Sequence, residues 1–187
     1  KLIRFASDNG TTLIPRTAGT SLAGQVVGNG IVVDMSKYFT RILEINSSNG
    51  FARVQPGVVL DELNLKLAEK GLFFGPETST SNRCMIGGMV GNNACGSHSL
   101  IYGSTRDHLL EVNALLSDGE PAVFKALDKQ AFFSKLEGNN LESKLYGNIY
   151  DMLSKPEIRE QIIREFPDPA IKRRNTGYAL DLLIPTD

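Results

Sequence analysis

A loop of small residues between two short apolar runs decides the fold of this chain: Pro15-Arg16-Thr17-Ala18-Gly19-Thr20-Ser21-Leu22-Ala23-Gly24-Gln25. The run before it is Thr12-Leu13-Ile14, and the run after it, Gly30-Ile31-Val32-Val33-Asp34, predicts a buried strand. Glycine and small side chains let backbone N–H groups approach an anion closely. The loop is therefore a candidate for binding a phosphate group.

The two common phosphate-binding motifs do not fit this loop. Gly19 to Gly24 has the spacing of a P-loop, but Gln25-Val26 stands where the P-loop needs Lys and then Ser or Thr. Gly28-Asn29-Gly30 leads into a strand and lacks the third glycine and the helix of a Rossmann turn. Taken alone, the loop is better explained by tight turns at a sheet edge than by a bound phosphate.

A second glycine-rich tract runs from Gly75 to Gly103. Its centre, residues 84–91, reads CMIGGMVG and is too apolar for a flexible linker. Small residues in such a segment indicate backbone packed closely against a neighbour. We expect the two tracts to converge on one extended phosphate ligand.

Local patterns predict most of the remaining elements. Residues 52–55 form a strand, and residues 58–70 form a helix that ends at Gly71, with Glu62 and Lys66 paired on its surface. Leu60, Leu63 and Leu67 share one face of that helix. Residues 109–126 form a hairpin around Asp118-Gly119. Helices are predicted at 128–137, 140–154 and 156–166, the last with Pro156 in its first turn.

Composition narrows the class of protein. The chain has 187 residues, 41% of them hydrophobic, and a net charge of −1, so it has a core but no electrostatic footprint for nucleic acid or an anionic membrane. No apolar run is long enough for a membrane helix, which needs about 20 residues. Two cysteines and two histidines lack metal-site spacing, so we expect no metal. The cysteines are read as core-filling thiols in a reducing cytoplasm.

The two glycine tracts and the segments between them resemble, in order, the FAD-binding domain of the vanillyl-alcohol oxidase or p-cresol methylhydroxylase (PCMH) type. The matching segments are residues 15–21 (PRTAGTS), 30–34 (GIVVD), 54–57 (VQPG), 75–79 (GPETS), 86–89 (IGGM), 92–96 (NNACG) and 102–107 (YGSTRD). Residues 173–181, RRNTGYALD, are similar to a segment of the D-lactate or glycolate dehydrogenase branch. From composition alone, the basic residues at 172–174 are a solvated patch.

This resemblance implies an α+β fold: a PCMH-type FAD-binding domain with two small α/β subdomains, followed by a helical insertion. We predict the FAD-binding domain at residues 1–126, and the insertion with the start of a further FAD-domain segment at 127–187. The chain reads as an excerpt of a longer protein, truncated before Lys1 and inactive alone. The substrate domain, and an iron–sulfur cluster in some relatives of this kind, would follow Asp187.

The resemblance also implies the cofactor and its contacts. Because no histidine lies in residues 15–25, we expect non-covalent FAD, with attachment through Cys95 or His98 as the alternative. The predicted cofactor-binding residues are Arg16, Thr17, Ala18, Gly19, Thr20, Ser21, Gly24, Gln25, Pro76, Glu77, Thr78, Ser79, Ile86, Gly87, Gly88, Asn92, Asn93, Gly96, Tyr102 and Gly103. Arg16 has an alternative role, tying the loop down.

The function implied is hydride transfer to FAD from a 2-hydroxy acid of the D-lactate, glycolate or D-2-hydroxyglutarate class. The base and the carboxylate-binding cation come from the substrate domain in such proteins, so we assign no catalytic residue. The expected partners are FAD and the hydroxy acid, with no nucleic acid and no integral membrane segment. The expected location is the cytoplasm, with peripheral membrane attachment open. The alternatives are an NADPH-dependent flavin reductase of cell-wall precursor synthesis and a non-catalytic domain.

Overall fold

The chain divides into two compact units. The computed structural model describes residues 1–171, 174 and 177–184. The first unit is Leu2–Leu109 and the second begins at Leu110. This division places the whole 109–126 hairpin, apart from its first residue, with the helices that follow it. The predicted domain boundary after residue 126 stays a prediction.

The first unit combines short strands with short helices. Its elements are α1 (Leu2–Asp8), β1 (Leu13–Arg16), β2 (Ile31–Asp34), β3 (Ile42–Asn46), β4 (Phe51–Val54), α2 (Leu60–Ala68), α3 (Ile86–Gly91), α4 (Ser99–Tyr102) and a 3-10 turn (Thr105–His108). β1 and β2 are parallel, and β3 and β4 are antiparallel. Because β1 and β2 are parallel, the loop between them must return from the end of one strand to the start of the other.

Helix α2 supplies the core of this unit, as its leucine spacing predicts. Leu63 and Leu67 pack with Val58, and Leu60 packs with Cys84 and Met89 of the second glycine tract. Full burial of such a side chain contributes about 1.5–3 kcal/mol. The helix therefore attaches the second tract to the body of the unit.

Two local expectations need correction, and one strand was missed. β2 is not a buried strand: Val32 is 49% exposed, because only one face of the two-stranded sheet is covered. Lys66 pairs with Glu69 at 2.9 Å, not with Glu62, and the pair lies in solvent where such contacts are weak. β3 went unpredicted because a register irregularity between Ile42 and Glu44 breaks its alternation of apolar and polar residues.

The second unit is a hairpin followed by helices, and each of these elements was predicted from the sequence although the hairpin was assigned to the preceding domain. β5 (Glu111–Leu115) and β6 (Pro121–Lys125) are antiparallel. Gly119 in the connecting turn has φ +85°. That value lies in the left-handed region, which glycine reaches without a steric penalty, and it explains the strength of the Asp-Gly turn signal.

Three helices and an aromatic cluster complete this unit. The helices are α5 (Lys129–Leu136), α6 (Leu141–Leu153) and α7 (Pro156–Glu165), with a 3-10 turn at Leu180–Leu182. Asp128 and Asn140 cap the N-termini of α5 and α6 by accepting backbone N–H groups. The aromatic rings that pack together are Phe124, Phe132, Phe133, Tyr146 and Tyr150.

The segment after these helices is described only in part. Arg174 donates to Asp181 at 2.7 Å, and both side chains are largely buried. Arg174 is therefore not part of a solvated patch, contrary to the reading from composition. The predicted residues Lys172, Arg173, Asn175 and Thr176 lie outside the described residues. Within the described part, no helix is long and apolar enough to span a membrane.

Candidate cofactor site

The parallel strands hold the start of the first loop. Arg16, the last residue of β1, lies opposite Asp34 of β2, with 3.5 Å between its Nη1 and the Asp34 Oδ2. Gly19 has φ +68°, and a Cβ added there would lie 3.1 Å from the Arg16 Nε. The Arg16 side chain therefore runs along the loop and links it to β2, which is the second of the two roles predicted for it.

Asp34 is fixed in the charged form that this contact needs. Its carboxylate accepts the backbone N–H of Ser36 at 2.8 Å. Hydrogen bonds from the Ser36 hydroxyl and backbone, and more weakly the charge of Arg16, lower the pKa of Asp34. The link between β2 and the loop is therefore ionic at neutral pH.

The loop beyond Arg16 presents a run of unpaired backbone donors. The N–H groups of residues 17 to 22 donate no hydrogen bond within the described part of the chain. The next N–H, that of Ala23, donates weakly to the Ser21 Oγ at 3.4 Å. Successive backbone N–H groups in a turn conformation are able to bind an anion. This run contains Thr17, Ala18, Gly19, Thr20 and Ser21 of the predicted set.

Glycines in α3 let the second tract approach this loop. A Cβ on Gly88 would lie 2.5 Å from the Thr17 Oγ1, so any larger residue would displace Thr17. Gly87 donates its backbone N–H to the Pro56 carbonyl at 2.9 Å, and a Cβ there would overlap the proline ring. The start of α3 thus lies against both the first loop and the turn before α2.

A hydrogen bond between side chains also joins the two tracts. The Gln25 Nε2 donates to the Asn92 Oδ1 at 3.1 Å, although 67 positions separate the two residues. The Ser21 hydroxyl donates to the Gln25 Oε1. Thr17, Ser21, Gln25, Gly88 and Asn92 are thus brought together from two predicted motifs.

Other predicted residues form a second group around Gly96. A Cβ on Gly96 would overlap the Glu77 carbonyl, so the two backbones are in direct contact. The Glu77 Oε2 lies 2.6 Å from the His98 Nδ1. No local pattern in the sequence predicted this carboxylate partner for His98.

The end of the second tract is held by its own turns. Asn93 has φ +43° and accepts the Arg106 backbone N–H on its Oδ1 at 2.9 Å. Tyr102 packs on Gly75, where a Cβ would lie 2.7 Å from its ring. A Cβ on Gly103 would lie 2.6 Å from the Asp107 carboxylate. These side chains make structural contacts whatever ligand the tract holds.

The remaining predicted residues differ in accessibility. The Pro76 side chain is fully buried, so it cannot present a contact surface to a ligand. The Thr78 hydroxyl is within hydrogen-bond distance of the Thr80 hydroxyl and the Cys84 thiol. Gly24 and Ser79 are exposed, and Ile86 is half-buried at the start of α3.

Within the described residues, no group of His, Cys, Asp or Glu side chains is arranged to hold a metal ion.

Comparison with known proteins identifies the family. A model described as FAD binding domain matches residues 1–124. The chain belongs to this FAD binding domain family, which confirms both the resemblance and the cofactor. A solved structure of 6-hydroxy-D-nicotine oxidase from Arthrobacter nicotinovorans matches 66% of this chain and 26% of its own, at 23% identity and a TM-score of 0.58. That match supports the predicted α+β, PCMH-type fold.

Relatives by sequence are enzymes named for 2-hydroxy acids. The chain is 40% identical over 166 residues to D-2-hydroxyglutarate dehydrogenase of Escherichia coli strain K12. It is 33% identical over 121 residues to glycolate oxidase subunit GlcD of Bacillus subtilis strain 168. These matches cover 89% and 64% of this chain. The chain spans only 16% and 26% of the respective relatives.

Proposed function

We propose that this chain is the FAD-binding portion of a flavoprotein dehydrogenase that oxidises a 2-hydroxy acid by hydride transfer to FAD. The substrate belongs to the D-lactate, glycolate or D-2-hydroxyglutarate class. The family membership and the names of the relatives support this choice over a flavin reductase.

The observation that carries the proposal is the run of unpaired N–H groups at residues 17 to 22, closed on one side by Gly88 and Asn92. A dinucleotide pyrophosphate offers several anionic oxygens to such a run, and charge-assisted hydrogen bonds to it are about twice as strong as neutral ones. The site therefore fits an extended diphosphate better than a single small anion.

The predicted cofactor set divides into roles on this basis. Residues 17–21 bind the pyrophosphate through backbone N–H groups, and Gly87 and Gly88 permit close approach of the second tract. Arg16 holds the loop through Asp34. We propose non-covalent binding, because residues 15–25 contain no histidine. FAD supplies the hydride acceptor when bound, and this chain positions it.

The substrate and the location are further parts of the proposal. A base must take the hydroxyl proton and a cation must hold the carboxylate, and we assign neither to this chain. Neither Cys84 nor Cys95 forms a disulfide within the described part of the chain, which favours a reducing compartment. We therefore place the protein in the cytoplasm.

Reconstitution with FAD tests the proposal. The purified protein is expected to take up FAD, to show a flavin absorption spectrum, and to release the flavin on acid denaturation without a covalent residue. Anaerobic addition of D-2-hydroxyglutarate, glycolate or D-lactate to the flavoprotein that also carries the substrate domain should bleach the spectrum, whereas NADPH should not. A protein that takes up no FAD contradicts the proposal, and bleaching by NADPH alone favours a flavin reductase.

A further inference from the structure

Three side chains from the two glycine tracts form a hydrogen-bond relay with a defined direction. Ser21 lies next to Gln25, and Gln25 lies next to Asn92. Each amide has one donor end and one acceptor end, so the direction of the first bond decides the direction of the second.

The first bond runs from serine to glutamine. The Ser21 hydroxyl donates its proton to the Gln25 Oε1, and the Ser21 Oγ accepts the backbone N–H of Ala23 at 3.4 Å. The separation of 2.5 Å between the Ser21 Oγ and the Gln25 Oε1 is shorter than most O–H···O bonds and lies at the lower limit of their range, below the range of N–H···O bonds. The Gln25 carbonyl therefore faces Ser21.

The direction of the second bond follows. With its carbonyl engaged, Gln25 turns its Nε2 to the Asn92 Oδ1, at 3.1 Å. The Asn92 amide is left with its N–H groups directed away from the relay. Asn92 is exposed, and its Nδ2 donates no hydrogen bond within the described part of the chain.

We propose that the relay presents Asn92 as a hydrogen-bond donor to an acceptor oxygen of FAD, and that Gln25 is a positioning residue that does not contact the cofactor. The inference rests on the proposed function. The acceptor is a phosphate oxygen or a flavin carbonyl, which share this chemistry. The proposal gives Gln25 and Asn92 different roles, whereas both were predicted from the sequence to contact the cofactor.

A double-mutant cycle on FAD affinity tests this division of roles. The dissociation constant is measured by quenching of flavin fluorescence for the parent, Gln25→Ala, Asn92→Ala and the double variant. Loss of one hydrogen bond to FAD predicts about a 3- to 30-fold weaker affinity for Asn92→Ala. Gln25→Ala should weaken binding in the parent but change nothing further in the Asn92→Ala background.

Asn92→Asp tests the direction of the relay. Aspartate keeps the oxygen that accepts from Gln25 but replaces the outward donor by a negatively charged acceptor, so FAD should bind more weakly than to Asn92→Ala. Asn49→Asp, in an exposed turn of the first unit, adds the same charge and should leave the affinity within about 2-fold, as expected for a surface charge screened by salt. Riboflavin is the second probe: an unchanged affinity of Asn92→Ala for riboflavin assigns the acceptor to phosphate, and a weakened one assigns it to the flavin ring.

The outcomes separate the inference from the proposed function. Additive effects of Gln25→Ala and Asn92→Ala, or parent-like FAD binding by Asn92→Asp, would overturn the relay while leaving FAD binding in place. A parent protein that fails to bind FAD would overturn both. Circular dichroism of each variant identifies loss of fold, which these exposed positions are not expected to cause.

Discussion

Glycine is needed at different positions of this chain for different physical reasons, and Gly96 is the most constrained of these positions. Its backbone lies directly against the Glu77 carbonyl, so a methyl group has nowhere to go without moving one of the two main chains. Gly91, at the end of α3, has open space in the direction of its missing Cβ. The two positions therefore form a matched pair for substitution.

Gly96→Ala is expected to lower the free energy of unfolding by about 1–3 kcal/mol, the usual cost of overpacking. Gly91→Ala should be neutral or stabilising by up to about 1 kcal/mol, because alanine restricts the unfolded chain. Urea denaturation of both variants measures the difference. Equal stabilities would contradict the contact between Gly96 and Glu77.

Asp34 makes the stability depend on pH. Its pKa is lowered from 3.8 by hydrogen bonds from Ser36 and by Arg16, so the folded state binds the proton less readily than the unfolded state. The carboxylate therefore contributes stability above its unfolded pKa, and the contribution is lost as the pH falls through its folded pKa.

Asp34→Asn should accordingly be less stable than the parent near neutral pH, and this gap should narrow as the pH drops below 3.8. Urea midpoints of both proteins across the acid range give the gap, and an NMR titration of the Asp34 carboxylate gives its pKa directly. A titration midpoint at or above 3.8 would contradict the assigned contacts.

Helix α2 shows how a short element attaches two segments at once. One face carries Leu63 into the cluster with Val58 and Leu67, while Leu65 on the opposite face is 71% exposed. Because leucine occupies both faces of the helix, substitutions at Leu63 and Leu65 distinguish the contribution of packing from that of helix propensity.

Leu63→Ala is expected to cost about 2–5 kcal/mol, since it removes buried methyl groups and leaves a cavity. Leu65→Ala should stay within about 0.5 kcal/mol of the parent. Chemical denaturation of the two variants measures both costs. A large loss for Leu65→Ala would mean that another surface covers this face.

The division into two units predicts which segments FAD binding protects from hydrogen exchange. All the residues proposed to contact FAD belong to Leu2–Leu109, and α5 to α7 belong to the second unit. A ligand that binds only the folded state stabilises it by about 2.7 kcal/mol at 100 times its dissociation constant.

Hydrogen exchange with and without FAD should therefore show protection in the 17–25 loop and in the 86–96 segment. Exchange in α5 to α7 should change little by comparison. Protection confined to those three helices would place the cofactor elsewhere and contradict the proposed site. Riboflavin serves as a control ligand that lacks the pyrophosphate.

The periodic spacing of apolar residues and the turn-forming residues were enough to predict most of the helices and the hairpin. The leucine spacing of α2, the Asp-Gly hairpin and the helices of the second unit all arise from residues close together in the chain, whereas the glycine motifs were informative through their order, which resembles a known family. Local backbone preference and side-chain spacing act within a few residues, so they are readable without a structure.

Contacts between distant residues were decided only by the tertiary structure. β3 was hidden by its irregular register, and the partners Gln25–Asn92 and His98–Glu77 are many positions apart. Which polar groups meet depends on how the whole unit packs, and no local pattern encodes that geometry. The motifs thus identified a cofactor domain, while folding determined which of their side chains are left to face the ligand.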